Sequence, residues 1–300
     1  MAARFSRVAL IGFGEVGQTL GADLIAAGCQ VSAFDPLFAD PGSKPSIALR
    51  SISVTPESNP AAAVSDAELV ISAVTAASDI DAGRAVAQHL KSGTFYLDVN
   101  SVSPGTKVSC AEVIGSAGGR YVEAAVMTPI APKRIASAML LGGPHAVAFI
   151  KRARPLGFTG KVFAEEIGRA SATKMCRSVM IKGIESLLCE SLVAARHYGV
   201  EKTVLDSLSD LLPVGDWEKI ASYMVSRALE HGIRRAEEMR ESAETVREAG
   251  IEPLMATATA EREEWAAQFS GAHQMRDDLT AMLDAMRTGT PGAPAKGRAA

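Results

Sequence analysis

The segment 8–28, VALIGFGEVGQTLGADLIAAG, runs an apolar strand straight into Gly12, Gly14 and Gly17 and then into an amphipathic helix, and it constrains the fold more than any other stretch. Gly12 permits the tight turn out of the strand, Gly14 lets a ligand approach the backbone, and Gly17 lets the helix pack closely on the strand. Free N–H groups at the helix start then face an anion, so Gly12, Phe13, Gly14, Glu15, Val16 and Gly17 form a candidate cradle for a dinucleotide pyrophosphate. Glu15 is read as pointing outward, where its charge suits the helix N-terminus. A second strand, 30–34, ends in Asp35. An acid about 20 residues beyond such glycines accepts hydrogen bonds from ribose hydroxyls and repels a 2′-phosphate, which favours NAD while leaving NADP possible. The alternative is a structural βα turn that binds no nucleotide.

Three hundred residues exceed the size at which one core stops growing, so two domains are expected. A net charge of −3 gives no electrostatic footprint for nucleic acid or an anionic membrane, leaving a small molecule as the expected partner. No apolar run approaches the length of a membrane span, and the N-terminus enters a strand without a leader-like region, so a cytoplasmic location is expected. Four cysteines without CxxC spacing and five histidines suggest neither a disulfide framework nor a metal site.

Up to about Phe163, short apolar runs at 8–12, 30–34, 69–73, 94–98, 120–125 and 139–142 alternate with helical stretches, as in parallel βαβ units. The prolines at 36, 41 and 45 mark the segment after Asp35 as a loop. Beyond Ile167 the pattern is wholly helical, with one helix expected over 171–198, ended by Gly199, long enough to join two domains and to offer a dimer surface. The expected organisation is an α/β chain: a doubly wound Rossmann sheet over 1–165, an all-helical substrate and dimerisation domain over 166–288, and a disordered Gly/Pro/Ala-rich tail over 289–300.

Loops after strand C-termini line the ligand crevice of a doubly wound sheet, which places Val74, Thr75 and Asn100 at the cofactor and Asn100 and Ser101 at the substrate. Ser103 before Pro104 is accounted for as a helix N-cap. In 121–134, YVEAAVMTPIAPKR, the Thr128 hydroxyl is placed to hold a carboxylate or carbonyl, and Lys133 and Arg134 read as a solvated charge pair. In 167–183, Ser171, Lys174 and Ser178 share one helix face. A lysine desolvated in a cleft exchanges a proton with a substrate hydroxyl near neutral pH; from spacing alone, an ordinary surface lysine fits equally.

The glycine fingerprint, the NSVSP loop, the EAAVMTP strand–loop and the GRASATK helix, in this order, resemble the β-hydroxyacid dehydrogenase and 6-phosphogluconate dehydrogenase-like superfamily, in a branch whose C-terminal domain is of unknown function. The resemblance spans nearly the whole chain. It implies a Rossmann domain followed by a helical domain, a homodimer, and an NAD(P)-dependent dehydrogenase acting on a CH–OH group of a small acidic metabolite, with Lys174 as general acid/base. Glu123 to Pro129 stand where the family reads Asp-Ala-Pro-Val-Ser-Gly-Gly, Ser178 stands where it has asparagine, and Arg234 to Met239 replace its later Lys-Asp pair, so the substrate's identity does not carry over. Two other readings remain: an imine or ketone reductase of the same fold, against which Lys174 counts, and a catalytically silent dinucleotide-binding scaffold dimer, against which the retained glycines and lysine count.

Overall fold

The computed structural model describes residues 3–208, 212–213 and 215–289. Two compact units divide the chain, Met1–Met175 and Cys176–Ala300. The expected tail lies, apart from Gly289, outside the described residues.

In the first unit the strands are β1 (Arg7–Ile11), β2 (Gln30–Phe34), β3 (Thr55–Pro56), β4 (Leu69–Ser72), β5 (Phe95–Asp98), β6 (Arg120–Val126), β7 (Met139–Gly142) and β8 (Lys161–Ala164). They form one sheet in the order β3-β2-β1-β4-β5-β6-β7-β8. The first six run parallel, with β1 central: Val8 pairs with both Val31 and Leu69. The helices α1 (Glu15–Ala26), α2 (Lys44–Ala48), α3 (Pro60–Val64), α4 (Asp79–Ala87), α5 (Pro104–Ser116) and α6 (Ala146–Ala153) accompany the strands. Strands covered on both faces must be apolar throughout, and β1 is buried from Val8 onward. Val8 and Leu10 join one apolar layer with Phe5, Phe13, Leu20 and Leu24; Ala9 and Ile11 join the other with Val70, Tyr96 and Cys110. This is the doubly wound Rossmann arrangement, and the chain order reverses between β1 and β4, where such sheets open a crevice.

Three details differ from the sequence reading. The segment after Asp35 is not plain loop: a 3-10 turn covers Pro36–Ala39 and α2 follows, each with proline in its first turn, where a missing N–H costs nothing. The edge strands β3 and β8, of two and four residues, carry too little periodicity to be seen. Finally β7 pairs antiparallel to β6, and β8 runs parallel to β7. A connection containing Pro129 and Pro132 with no α-helix is poorly suited to a parallel crossover.

Helix α7 (Arg169–Tyr198) begins in the first unit and continues into the second, where α8 (Glu201–Leu208), α9 (Trp217–Glu248), α10 (Leu254–Ala267) and α11 (Leu279–Thr288) follow. The second unit is helical, with a core that includes Leu188, Leu192, Leu205, Trp217, Val225, Leu229, Phe269, Met282 and Leu283. Gly232 lets α9 approach α10 closely, since a Cβ there would collide with the Glu263 carbonyl. Beside that contact lies a buried ionic group. Arg235 pairs with Glu185 and reaches Glu263 Oε1 at 3.6 Å, and Lys182 Nζ lies 2.7 Å from Glu238.

Burial pushes the Glu263 carboxyl up to about 7 from its ordinary 4.5, against the opposing pull of Arg235 and Lys182. Folded protein therefore retains this proton where unfolded chain has released it, so its contribution to stability falls as pH rises from about 4.5 to about 7 and then levels off. Glu263→Gln, which mimics the protonated acid, is expected to match the parent at pH 4.5 and to exceed it at pH 8 by up to about 3 kcal/mol. Paired urea denaturations at the two pH values check this; equal differences at both would refute it.

Candidate active site

At the end of β1 the chain turns through Gly12 at φ +93°, whose N–H donates to the Phe34 carbonyl at 2.9 Å. Side chains at Gly12 and Gly17 are excluded by backbone, because a Cβ would strike the Ala73 and Gly12 carbonyl oxygens respectively. A Cβ on Gly14 would meet nothing within 4 Å. Gly14 is also the N-cap of α1 and offers no capping side chain, so the N–H groups of Glu15, Val16 and Gly17 have no acceptor within the helix. Glu15 itself is exposed. These features form a cradle that fits a pyrophosphate: unsatisfied donors, a helix N-terminus and open space in front of Gly14.

Asp35 closes the loop from β2. Its Oδ2 accepts from the Phe13 N–H at 2.7 Å and its Oδ1 from the Leu37 N–H at 2.9 Å. Each oxygen retains acceptor capacity for a ribose hydroxyl. Phe13 serves the loop from inside: its ring is fully buried and packs 5.6 Å from Phe38, its N–H is held by Asp35, and its carbonyl accepts from Gln18 Nε2.

The ends of β4 and β5 are joined by Asn100. Its Oδ1 accepts from the Val74 N–H at 2.8 Å, and its Nδ2 donates to Ser72 Oγ at 2.9 Å and to Asp79 Oδ1 at 2.5 Å. With both donors used and only 5 % of its surface exposed, Asn100 fixes the Val74–Thr75 segment rather than projecting into solvent. Thr75 Oγ1 lies 3.1 Å from Ser78 Oγ.

Behind Asn100 lies a polar cluster that the sequence reading missed. Asp98, wholly buried, takes Lys107 Nζ at 2.7 Å, the Tyr121 hydroxyl at 2.7 Å and the Asn100 N–H at 2.9 Å. Burial, then the charge of Asp98, pushes the Asp79 carboxyl up to about 7, against the nearby Lys107. Burial likewise raises the Tyr121 hydroxyl and the Cys110 thiol. Ligand-type atoms of Asp79, Asp98 and Cys110 gather within 4.8 Å, with the Lys107 ammonium supplying positive charge there. A signal was available, since Lys107, Cys110 and Ile114 follow the i, i+3, i+7 spacing of a core-facing helix stripe.

The third wall comes from β6 and the start of α7. Lys174 Nζ donates to Ser101 Oγ at 2.5 Å, joining two candidates 73 residues apart. Both are partly buried. Glu123, midway along β6, accepts from the Gly168 N–H at 2.8 Å and the Ser171 N–H at 2.5 Å. Thr128 is exposed on the loop after β6. Arg134, read from sequence as half of a solvated charge pair, instead bonds Asp23 on α1 at 2.8 Å, and the Ile135 N–H joins the same carboxylate at 3.0 Å. Ser178 lies in the second unit, where its hydroxyl accepts from Lys182 at 3.3 Å.

Residues 7–161 match the NAD binding domain of 6-phosphogluconate dehydrogenase, and residues 195–266 match a domain of unknown function, DUF1932. A conserved hypothetical protein from Sinorhizobium meliloti 1021 is 33% identical over 94% of this chain and 96% of its own, with a TM-score of 0.74. A conserved protein of unknown function, described as structurally similar to 3-hydroxyacid dehydrogenases, is 31% identical over 90% of this chain and 98% of its own, with a TM-score of 0.69. Mycobacterium tuberculosis 3-hydroxyisobutyrate dehydrogenase, solved with L-serine, shares the fold at 19% identity, covering 94% of this chain and 99% of its own at a TM-score of 0.70. With its glycine cradle, acid-tipped β2 and helical second half, the chain belongs to the family defined by the NAD binding domain of 6-phosphogluconate dehydrogenase, in the branch that carries DUF1932.

Proposed function

We propose that the protein is an NAD(P)-dependent oxidoreductase interconverting a hydroxyl and a carbonyl on a small acidic metabolite, in the manner of a 3-hydroxyacid dehydrogenase, with Lys174 as general acid/base. The observation that carries this reading is the bond from Lys174 Nζ to Ser101 Oγ on the loop after β5, in the unit that contains the NAD-binding domain. Likeness to a fold solved with L-serine, itself a 3-hydroxy acid, supports the substrate class.

In this reading the N–H groups of Glu15, Val16 and Gly17 hold the pyrophosphate in front of Gly14, and Asp35 accepts from the adenosine ribose. Asn100 braces Val74 and Thr75 against the cofactor. The nicotinamide, when bound, supplies the hydride donor or acceptor. In oxidation Lys174 as the neutral amine takes the hydroxyl proton at Nζ and becomes the ammonium, in reduction the ammonium returns it, and Ser101 Oγ holds Nζ in place. Thr128 contributes a hydroxyl to the substrate. The same division separates cofactor chemistry from protein positioning.

Calorimetric titration with both cofactors tests the assignment, together with a hydroxyacid panel read by NADH formation. NAD is expected to bind more tightly than NADP, and Asp35→Asn to shift the ratio toward NADP by about tenfold, near 1.4 kcal/mol. Tighter NADP binding, with a ratio that Asp35→Asn leaves unchanged, would refute the assignment of Asp35 and turn attention to Lys44 and Arg50. Binding without turnover on any hydroxyacid would favour the scaffold reading.

A further inference from the structure

We propose that Glu123 is the positioning residue for Lys174: its carboxylate holds the first turn of α7 at two points and so sets where the lysine ammonium meets Ser101. The inference rests on Lys174 being the acid/base of the reaction. It starts from an unusual cap. A helix start leaves several N–H groups without acceptors, and a Ser, Thr, Asp or Asn immediately before the helix ordinarily serves them. Before α7 that position is Gly168, at φ +99° and with no side chain to offer. The acceptor comes instead from a strand 45 residues earlier in the chain.

Glu123 is wholly buried, with one oxygen on the Gly168 N–H at 2.8 Å and the other on the Ser171 N–H at 2.5 Å. Ser171 Oγ donates back to the Gly168 carbonyl at 3.0 Å, closing the turn. Two bonds from one planar, fully buried carboxylate on an interior strand fix both the axial position and the rotation of the helix start. Lys174 lies three residues beyond Ser171, about 4.5 Å along the axis, so little slack can accumulate between the clamp and Nζ. A carboxylate also complements the positive end of the helix.

The fold is shaped around this side chain. Gly142, paired with Glu123 across β6 and β7, has no Cβ, and one placed there would come within 2.5 Å of Glu123 Oε2. That neighbour is the far end of a flexible side chain, so Gly142→Ala should displace the carboxylate from Gly168 without removing its charge. A cap that served stability alone would leave the environment of Lys174 unaffected once the helix had formed.

The experiment is an NMR titration of the full chain labelled with ε-15N lysine, with the Lys174 signal assigned by its loss in Lys174→Arg. Parent, Glu123→Gln and Gly142→Ala are compared. We expect the Lys174 midpoint to move by at least about half a pH unit in each variant that folds, while NADH affinity stays within about twofold of the parent. If Glu123→Gln fails to fold, Gly142→Ala supplies the reading. An unmoved Lys174 midpoint in a folded variant overturns the proposal, as does loss of folding in both, which would make Glu123 a fold determinant instead. Turnover of Lys174→Met reports separately: normal activity there would remove the lysine from the chemistry and overturn the proposed function, while the titration still decides whether Glu123 sets the lysine's position.

Discussion

Gly14→Ala is expected to fold as well as the parent and to bind NAD(P) about ten- to a hundredfold more weakly, a loss of about 1.4 to 2.8 kcal/mol. Its backbone, at φ −73° and ψ −160°, suits alanine, and the new methyl meets no protein atom within 4 Å. It stands instead in the space in front of the unsatisfied N–H groups of α1. Gly12→Ala should behave in the opposite way. Here φ is +93° and the methyl would be forced against the Ala73 backbone, which cannot give as a side-chain end can. Strain and overpacking together should cost on the order of 3–5 kcal/mol, a large share of the stability of an ordinary domain. Gly17→Ala meets the Gly12 carbonyl and belongs with Gly12. Thermal denaturation and cofactor titration of the three variants separate the roles. A Gly14→Ala protein that binds NAD and NADP like the parent would remove this loop from the phosphate site.

The parts of the site visible in the sequence are those whose chemistry is local. Gly12, Gly14 and Gly17 act through backbone conformation and close approach within one βα turn, so spacing carries their meaning. Ser103 is local too, and its hydroxyl accepts from the Thr106 N–H as an N-cap should. Asp35 follows directly from the end of β2, although its bonds to Phe13 and Leu37 show a second duty of bracing the loop. What spacing could not convey is side-chain pairing across the sheet. Glu123 was legible only as the first residue of an altered substrate loop, and its bonds to Gly168 and Ser171 depend on β6 lying beside the start of α7. Asp79, Asp98, Lys107 and Tyr121 come from α4, β5, α5 and β6, and their burial together is decided by packing. The antiparallel β7 was hidden for a different reason, since an apolar run of four residues carries no sign of direction.

Replacing Lys174 should lower turnover by about two to four orders of magnitude, the usual contribution of general acid/base catalysis, while cofactor affinity stays nearly unchanged. The separation follows from the geometry: the cradle is built by β1, α1 and β2, whereas Lys174 reaches Ser101 from α7. Lys174→Met removes charge and proton together. Lys174→Arg keeps the charge and still offers hydrogen-bond donors to Ser101, but a guanidinium cannot give up its proton near neutral pH. If proton transfer is what the site requires, both variants should be comparably impaired, and the limb of the pH–rate profile governed by the lysine should disappear in each. Ser101→Ala supplies the complementary reading, because it leaves the proton donor in place and removes its partner, so a smaller loss with the limb retained is expected. Near-normal turnover in Lys174→Arg would show that positive charge alone suffices, and the acid/base role would then have to belong to another group.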